Sequence, residues 1–417
     1  MVICEPEKCF GCAACFNICK NKAISMKTGY HGFLYPHIDE NQCVNCNLCK
    51  KVCIVNHLPS VHSKHKVYAA LEKNDIERVK SSSGGIFTTL ARKVISGGGV
   101  VFGAIIDEKM TVQHYEATDD IGLNKIRESK YVQSEIGDCY QKALNRLKEG
   151  KVVLFSGTPC QIAGLRNYIG VDFASLITVD LLCHGVPSPE IFKKYVKSEE
   201  EKAGARLKSI QFRSKEIGWK ENKTIRIFEN GVTASWPDTF VPGFLKDYYL
   251  RETCYNCPFS STERCGDITL GDFWGYSEKK PDYIEDDDKG LSLVMINTPK
   301  GEKIFKKIRS SIAFTERTIE EASVGNLVLS QSLHKPDDYL GFWEKAEVVE
   351  WDKLCEEYIP YQNPIDNLNK KLRQYYDIPF VKRHRKHKMI CKIRYTIDLI
   401  KSCKRKIGKL LRGNSHE

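Results

Sequence analysis

Residues 9–19 read CFGCAACFNIC and residues 43–53 read CVNCNLCKKVC. Both follow C-x2-C-x2-C-x3-C, the ligand spacing of a two-cluster bacterial ferredoxin. Three thiolates on one tight loop bind three irons of a cubane, and the fourth, on a short helix, reaches the neighbouring cluster. The pattern assigns Cys9, Cys12, Cys15 and Cys53 to one 4Fe–4S cluster and Cys43, Cys46, Cys49 and Cys19 to the other. Zinc or a disulfide framework is the alternative, but zinc sites pair two CxxC units across a longer gap. The Pro that commonly follows the fourth Cys is replaced by Lys20 and Ile54, which leaves the ligands intact. Cys4 lies outside the register and is not expected to be a ligand.

The module fills about 57 of 417 residues, so two to four domains are expected in all. Eighteen cysteines without a secretory signal suit a reducing compartment. The opening MVICEPEKCF lacks a basic and an apolar signal region. No run of about 18 apolar residues suggests a membrane span, so the cytoplasm is the expected location. The net charge of +11 belongs to a tail. Residues 382–412 hold 13 Lys/Arg and one acid, and residues 1–381 balance at 51 against 51.

Beyond a linker at 54–66, Lys66–Glu72 reads as a strand. A helix capped by Ser82 or Ser83 runs from about Gly84 to Ile95. Val100–Ile106 is a buried strand that pairs with Thr111–Ala117, and Ile136–Lys148 is an amphipathic helix. Then come strand Val152–Phe155, helix Gln161–Tyr168, strand Leu176–Leu182 and a helix from about Pro189 to Lys202. This alternation implies parallel pairing and a crevice at the strand carboxyl ends. Short strands follow at Leu207–Phe212, Thr224–Phe228 and Val232–Trp236, then a helix at Phe240–Leu250 and buried strands at Ile268–Leu270 and Leu291–Asn297. Residues 331–381 resist assignment.

A second cysteine constellation, Cys254, Cys257 and Cys265, forms C-x2-C-x7-C in CYNCPFSSTERCGDITLGDFWG. Three cysteines in a turn-rich segment suit a metal site whose fourth ligand comes from elsewhere. Cys160 and Cys183 are the candidates, at the ends of neighbouring parallel strands, with Cys183 preferred. Zinc is one reading; a third 4Fe–4S cluster fed by the two upstream is the better one.

SGTPCQIAGL, DLLCHGVPSP and CGDITLGDFWG, behind a dicluster ferredoxin, resemble the beta-subunit family of coenzyme F420-reducing hydrogenases and dehydrogenases over roughly residues 1–330. The resemblance implies an α+β chain with an FAD module and a 4Fe–4S cluster near the flavin. Its parts are a ferredoxin domain at 1–57, a mixed α/β flavin module in two pieces at 66–150 and 151–330, and an extension at 331–417 with a helical basic tail. Electrons pass between clusters and FAD, and FAD exchanges hydride with a small molecule. In some members that is coenzyme F420; in others the electron source is reduced ferredoxin and the substrate a different organic compound. Members also occur in surface-polysaccharide gene clusters.

No GxGxxG fingerprint is present. The candidate pyrophosphate sites are helix N-termini after small-residue turns. One is Ser82-Ser83-Gly84-Gly85; the other is Ser156-Gly157-Thr158, with Thr158 as N-cap, Pro159 at N1 and Gln161 in the first turn. Helix capping alone is the plain alternative for each. Lys130, Tyr131, Gln133 and Ser134 form a second polar group, with Lys130 a candidate to stabilise the reduced flavin. Asp272 and Trp274 follow a strand, and Trp274 is a candidate to cover the flavin ring. His184 beside Cys183 is the candidate proton relay.

In the tail, Ile393, Ile397, Ile400, Ile407 and Leu411 recur at helical spacing among Lys and Arg. This suits an amphipathic helix on an anionic membrane, so the chain is expected to be peripheral at the inner face; nucleic acid is the weaker reading. Three function classes stand: a flavin- and ferredoxin-linked oxidoreductase, an electron-transfer subunit of a larger redox complex, and a non-enzymatic metal-binding protein.

Overall fold

The computed structural model describes residues 2–221, 223–276 and 283–360. The basic tail lies outside the described residues. The two cysteine loops repeat one backbone conformation. Gly11 and Ala13 have φ of 65° and 59°, and Asn45 and Asn47, at the matching positions, have 51° and 60°. Left-handed residues bend each loop so that its three cysteines face one point. Short helices Ala14–Ile18 and Leu48–Val52 follow and deliver Cys19 and Cys53 at their C-caps. Strands β1 (Ile24–Thr28) and β2 (Leu34–Ile38) form an antiparallel hairpin between them.

The remaining framework is an eight-stranded mixed sheet. Its strands are β3 (Lys66–Glu72), β4 (Val100–Ile106), β5 (Val112–Ala117), β6 (Val153–Gly157), β7 (Leu176–Leu181), β10 (Ile268–Asp272), β11 (Ser292–Ile296) and β12 (Ile312–Arg317). The order is β12-β3-β11-β10-β7-β6-β4-β5. The central four, β10, β7, β6 and β4, are parallel, and antiparallel strands flank them on both sides. These central strands read as near-continuous apolar runs because both faces are covered. Leu90 and Val94 of helix Ile86–Ser96 and Phe305 of helix Pro299–Ile308 pack on one face. Tyr140 of helix Cys139–Lys148 and Ile162 of helix Pro159–Ile169 pack on the other. β8 (Leu207–Ser214) and β9 (Lys223–Phe228) form a separate bulged hairpin.

The ferredoxin-type part is fused to this framework. Cys12, Ala14, Val52 and Ile54 share an apolar cluster with Phe102, Phe155 and Ile162. Asn17 Nδ2 donates to the Gly137 carbonyl at 2.9 Å, and Asn167 Nδ2 donates to the His57 carbonyl at 2.6 Å. Met1–Ile359 form one compact unit; Pro360–Glu417 form a second, of which only Pro360 is described.

Several expected elements differ. Val232–Trp236 is no strand; a single bridge joins Thr233 to Ile227, and Trp236 instead donates its indole N–H to the buried Glu199 at 2.7 Å. The helix expected over Phe240–Leu250 stops at Phe244, because Asp247 turns left-handed at φ 65°. Residues beyond 331 hold helices Tyr339–Val348 and Trp351–Tyr358, whose Trp343 and Trp351 enter the core beside helix Pro189–Ala203. No described helix is long and apolar enough to cross a membrane.

Candidate functional site

Because β4, β6, β7 and β10 run parallel, their carboxyl ends open on one edge of the sheet, where ligands of open α/β sheets bind. A cavity of about 630 Å3 lies there. Ser156, Gly157 and Thr158 at the end of β6, Cys183 and His184 after β7, and Asp272 and Trp274 at the end of β10 line it. Across from them stand Ser82, Ser83 and Gly85, with Lys130, Tyr131, Ser134 and Gln161 between. Three expected residues are not among its lining. Gly84 donates its amide to Ser292 Oγ at 2.9 Å, Pro159 carries no N–H, and Gln133 faces the other way, donating to the Phe10 carbonyl at 3.1 Å.

The two small-residue turns differ in what they leave free. At the Ser156 turn, the Thr158 amide donates to Gln161 Oε1 at 3.0 Å and a capping box closes the helix start. At the other, the first-turn amides of Ile86, Phe87 and Thr88 have no acceptor among the described residues, and they line the cavity. Those are the orphan donors of an eleven-residue helix. Ser82 Oγ accepts the Ser129 amide at 2.8 Å and keeps its own proton to donate.

Lys130 is engaged. Its ammonium donates to the carbonyls of Lys125 at 3.0 Å, Glu128 at 3.2 Å and Arg127, and burial pulls it down to about 8. All three donors of the lysine are used, so it caps its own loop and has none left for a ring in the cavity. Tyr131 and Asp272 both meet Arg213, at 3.2 and 2.7 Å. Trp274 stacks on Trp219 at 4.5 Å, the planes 6° apart. His184 Nε2 lies 2.6 Å from Asp247 Oδ1.

His114, which nothing in the sequence singles out, underlies the cavity floor. Its Nε2 donates to the Ser156 carbonyl at 3.0 Å, so in the neutral ring Nδ1 accepts from Ser134 Oγ at 3.1 Å. Ser134 Oγ in turn accepts from Gln161 Nε2 at 3.0 Å. Burial pulls His114 down to about 4, which keeps it neutral. No local pattern marks it; only the strand pairing brings β5 beside this turn.

Behind the cavity wall, Cys160, Cys183, Cys254 and Cys257 share one neighbourhood. Burial, then the fields of Cys254, Cys160 and Cys257, push Cys183 far up. Burial likewise lifts Cys160 to about 11 and Cys254 to about 12, with the neighbouring thiols adding to both. Cys265, expected as the third member of C-x2-C-x7-C, is turned away. Its sulfur donates to the Pro159 carbonyl at 3.2 Å and faces Asp180 Oδ2 at 3.6 Å. Asp180 is itself paired with buried Arg264 at 3.1 Å. A thiolate beside that carboxylate would be repelled. The expected choice between Cys160 and Cys183 also dissolves, since both stand with Cys254 and Cys257. Among the described residues, no three His, Cys, Asp or Glu side chains form a group for a single ion.

In the N-terminal part, Cys9, Cys12, Cys15 and Cys53 line one small cavity, and Cys4 joins them. Cys4 hydrogen-bonds Cys53 and Cys9; that contact is the main cause lowering Cys9 to about 6 and Cys53 to about 7. Cys12 lies against helix Pro159–Ile169, where a Cβ on Gly164 would be 3.0 Å from its sulfur. Gly164 sits one turn beyond Cys160, so the first cluster loop and the thiol quartet adjoin. Cys43, Cys46 and Cys49 form the outer loop, where Cys46 is exposed.

Comparison with known proteins finds matches for two parts of the chain. Residues 150–322 match the C-terminal part of the beta subunit of coenzyme F420 hydrogenase/dehydrogenase, and residues 8–57 match the 4Fe-4S dicluster domain. The matched segments support a beta-subunit-like C-terminal part behind an N-terminal ferredoxin-type domain. A solved structure of the xenon-derivatised F420-reducing NiFe hydrogenase complex from Methanosarcina barkeri aligns over 72% of this chain and 94% of its own, at 20% identity and a TM-score of 0.42. A likeness that low carries no inference. No curated protein matches the chain.

Proposed function

We propose that this chain is an iron–sulfur flavoprotein oxidoreductase. It moves electrons between its ferredoxin-type clusters and FAD, with hydride exchange to an organic small molecule, coenzyme F420 or a different substrate. The observation that carries the reading is the double position of Cys183, which lines the cavity and belongs to the thiol quartet. Cys160, Cys183, Cys254 and Cys257 would hold the third 4Fe–4S cluster. The amides of Ile86, Phe87 and Thr88 with Ser82 would hold the pyrophosphate, and Tyr131 and Trp274 would flank the ring. A flavin held there would supply two-electron hydride chemistry and one-electron exchange with the clusters.

The residues of the chain do the rest. Asp247 accepts the Nε2 proton of His184 and orients the ring, leaving Nδ1 to take or give a proton at the cavity wall. Neutral His114 fixes Ser134 and Gln161 on the floor. The Arg213–Asp272 pair holds Tyr131 and Trp219 in place at the far end. The exposed outer loop at Cys46 is where reduced ferredoxin or a redox subunit would hand over electrons.

Cys183→Ser and Cys265→Ser separate the ligand sets. We expect about a third of the iron lost in the first and none in the second; the reverse pattern would overturn the quartet. A second reading, an electron-transfer subunit of a larger complex, draws on the same exposed loop. Co-purification of a catalytic partner with a flavin-free chain would favour it. For the tail we retain the anionic-membrane proposal, which liposome flotation of the chain with and without residues 382–417 tests; equal flotation removes it.

A further inference from the structure

Arg251 is 1% exposed and has no carboxylate partner among the described residues. The other buried guanidiniums do: Arg226 with Glu199, Arg264 with Asp180, Arg213 with Asp272, Arg78 with Asp287 and Arg127 with Glu77. A buried charge without a counter-charge is strongly unfavourable. The acceptors around Arg251 take three of its five N–H donors, and none of them is a carboxylate. Nε donates to the Cys9 carbonyl at 2.6 Å, Nη1 to Gln133 Oε1 at 2.8 Å and Nη2 to the Leu34 carbonyl at 3.2 Å. The rings of Tyr35 and Phe33 lie at 4.4 and 5.2 Å.

Its place in the fold supplies the missing anion. The Arg251 amide donates to the Val186 carbonyl at 3.1 Å, three residues past Cys183, and its own carbonyl accepts the Cys254 amide at 2.8 Å. The backbone is thus built into the loops of the thiol quartet. The side chain leaves that quartet and ends under the first cluster loop, where a Cβ on Gly11 would lie 2.7 Å from Nη1. The charge is felt at Cys9 on one side and at Cys160 and Cys254 on the other.

We propose that Arg251 is the shared counter-ion of two clusters: the one on Cys9, Cys12, Cys15 and Cys53, and the one on Cys160, Cys183, Cys254 and Cys257. The second half rests on the ligand reading above. A 4Fe–4S cube with four thiolates is anionic, and a nearby cation in a low-dielectric interior makes an added electron easier to hold. Arg251 therefore raises both potentials. None of the hydrogen bonds of Arg251 goes to the loop of the outer cluster, so that cluster is expected to feel the charge least.

The test is an EPR-monitored redox titration of the full chain, purified anaerobically, with iron content measured alongside. In Arg251→Gln the two inner potentials fall and the outer one stays; Arg251→Lys, which keeps the charge, restores most of the shift. Should the Gln variant shed its clusters, Gln133→Glu answers instead. It sets a carboxylate against the guanidinium, at the loss of the bond to Phe10, and is expected to lower the same two potentials. Unmoved potentials, or an equal shift in all three clusters, would overturn the proposal. Wild-type iron near eight rather than twelve per chain would instead sink the third-centre reading alone, leaving the first cluster's shift to judge Arg251.

Discussion

His114 offers a perturbation whose size follows from its surroundings. The ring is 7% exposed, and burial lowers it from its ordinary 6.5 to about 4. Its folded value is depressed, so the unfolded chain takes up a proton below about pH 6.5 while the folded chain resists until about pH 4. Stability from this group is therefore complete above pH 6.5, falls as pH drops to 4 and is flat below. A gap of about 2.5 units corresponds to about 3 kcal/mol in full, of which about 2 kcal/mol is lost between pH 7.5 and pH 5. His114→Gln keeps a neutral group able to bond Ser134 and the Ser156 carbonyl and removes the titration. Denaturant unfolding of both proteins under anaerobic conditions, from pH 7.5 to pH 5, measures the difference. The variant is needed as a reference because burial also depresses His31, His62 and His65. The wild type should lose about 2 kcal/mol more than the variant over that range. Parallel pH profiles would mean that His114 is protonated in the folded chain, and the donor directions along the cavity floor would be wrong.

Gly11→Ala forces a side chain into a left-handed position, against Arg251 and Gln133 at 2.7 and 2.8 Å. It should lose the first cluster and about a third of the iron, read by iron assay. Cys4→Ser should leave iron content unchanged, because Cys4 supplements four ligands and replaces none; a loss of about four irons would make it a ligand. Arg213→Met strands Asp272 without its cation and should cost about 3 kcal/mol, seen as a lower thermal midpoint, with flavin lost and iron kept.

Much of this arrangement is legible in local sequence. Cysteine spacing names eight thiols because ligands of one loop are local. The parallel strands fall within two residues of their apolar runs, since double burial writes those runs without interruption. Their order already implies a crevice where Ser156, Cys183 and Asp272 meet. What local pattern cannot carry is orientation between distant segments. Cys265 shares a motif with Cys257 yet faces Asp180, a partner 85 residues away. Gln133 sits one residue from the cavity-lining Ser134 but points to the ferredoxin loop, where it bonds the Phe10 carbonyl and Arg251. Lys130 reads as free in the sequence because its acceptors are backbone carbonyls, which no residue type advertises. Arg251 carries no signal in the sequence; it stands out only because no carboxylate pairs with it among the described residues.

The central claim is that two ferredoxin clusters feed a third centre and a flavin in the cavity at the strand ends. Iron, sulfide and flavin content of the anaerobically purified full chain tests it most directly. About twelve irons, matching sulfide and one FAD per chain are predicted. Zinc in place of iron, or full iron without flavin, would contradict it.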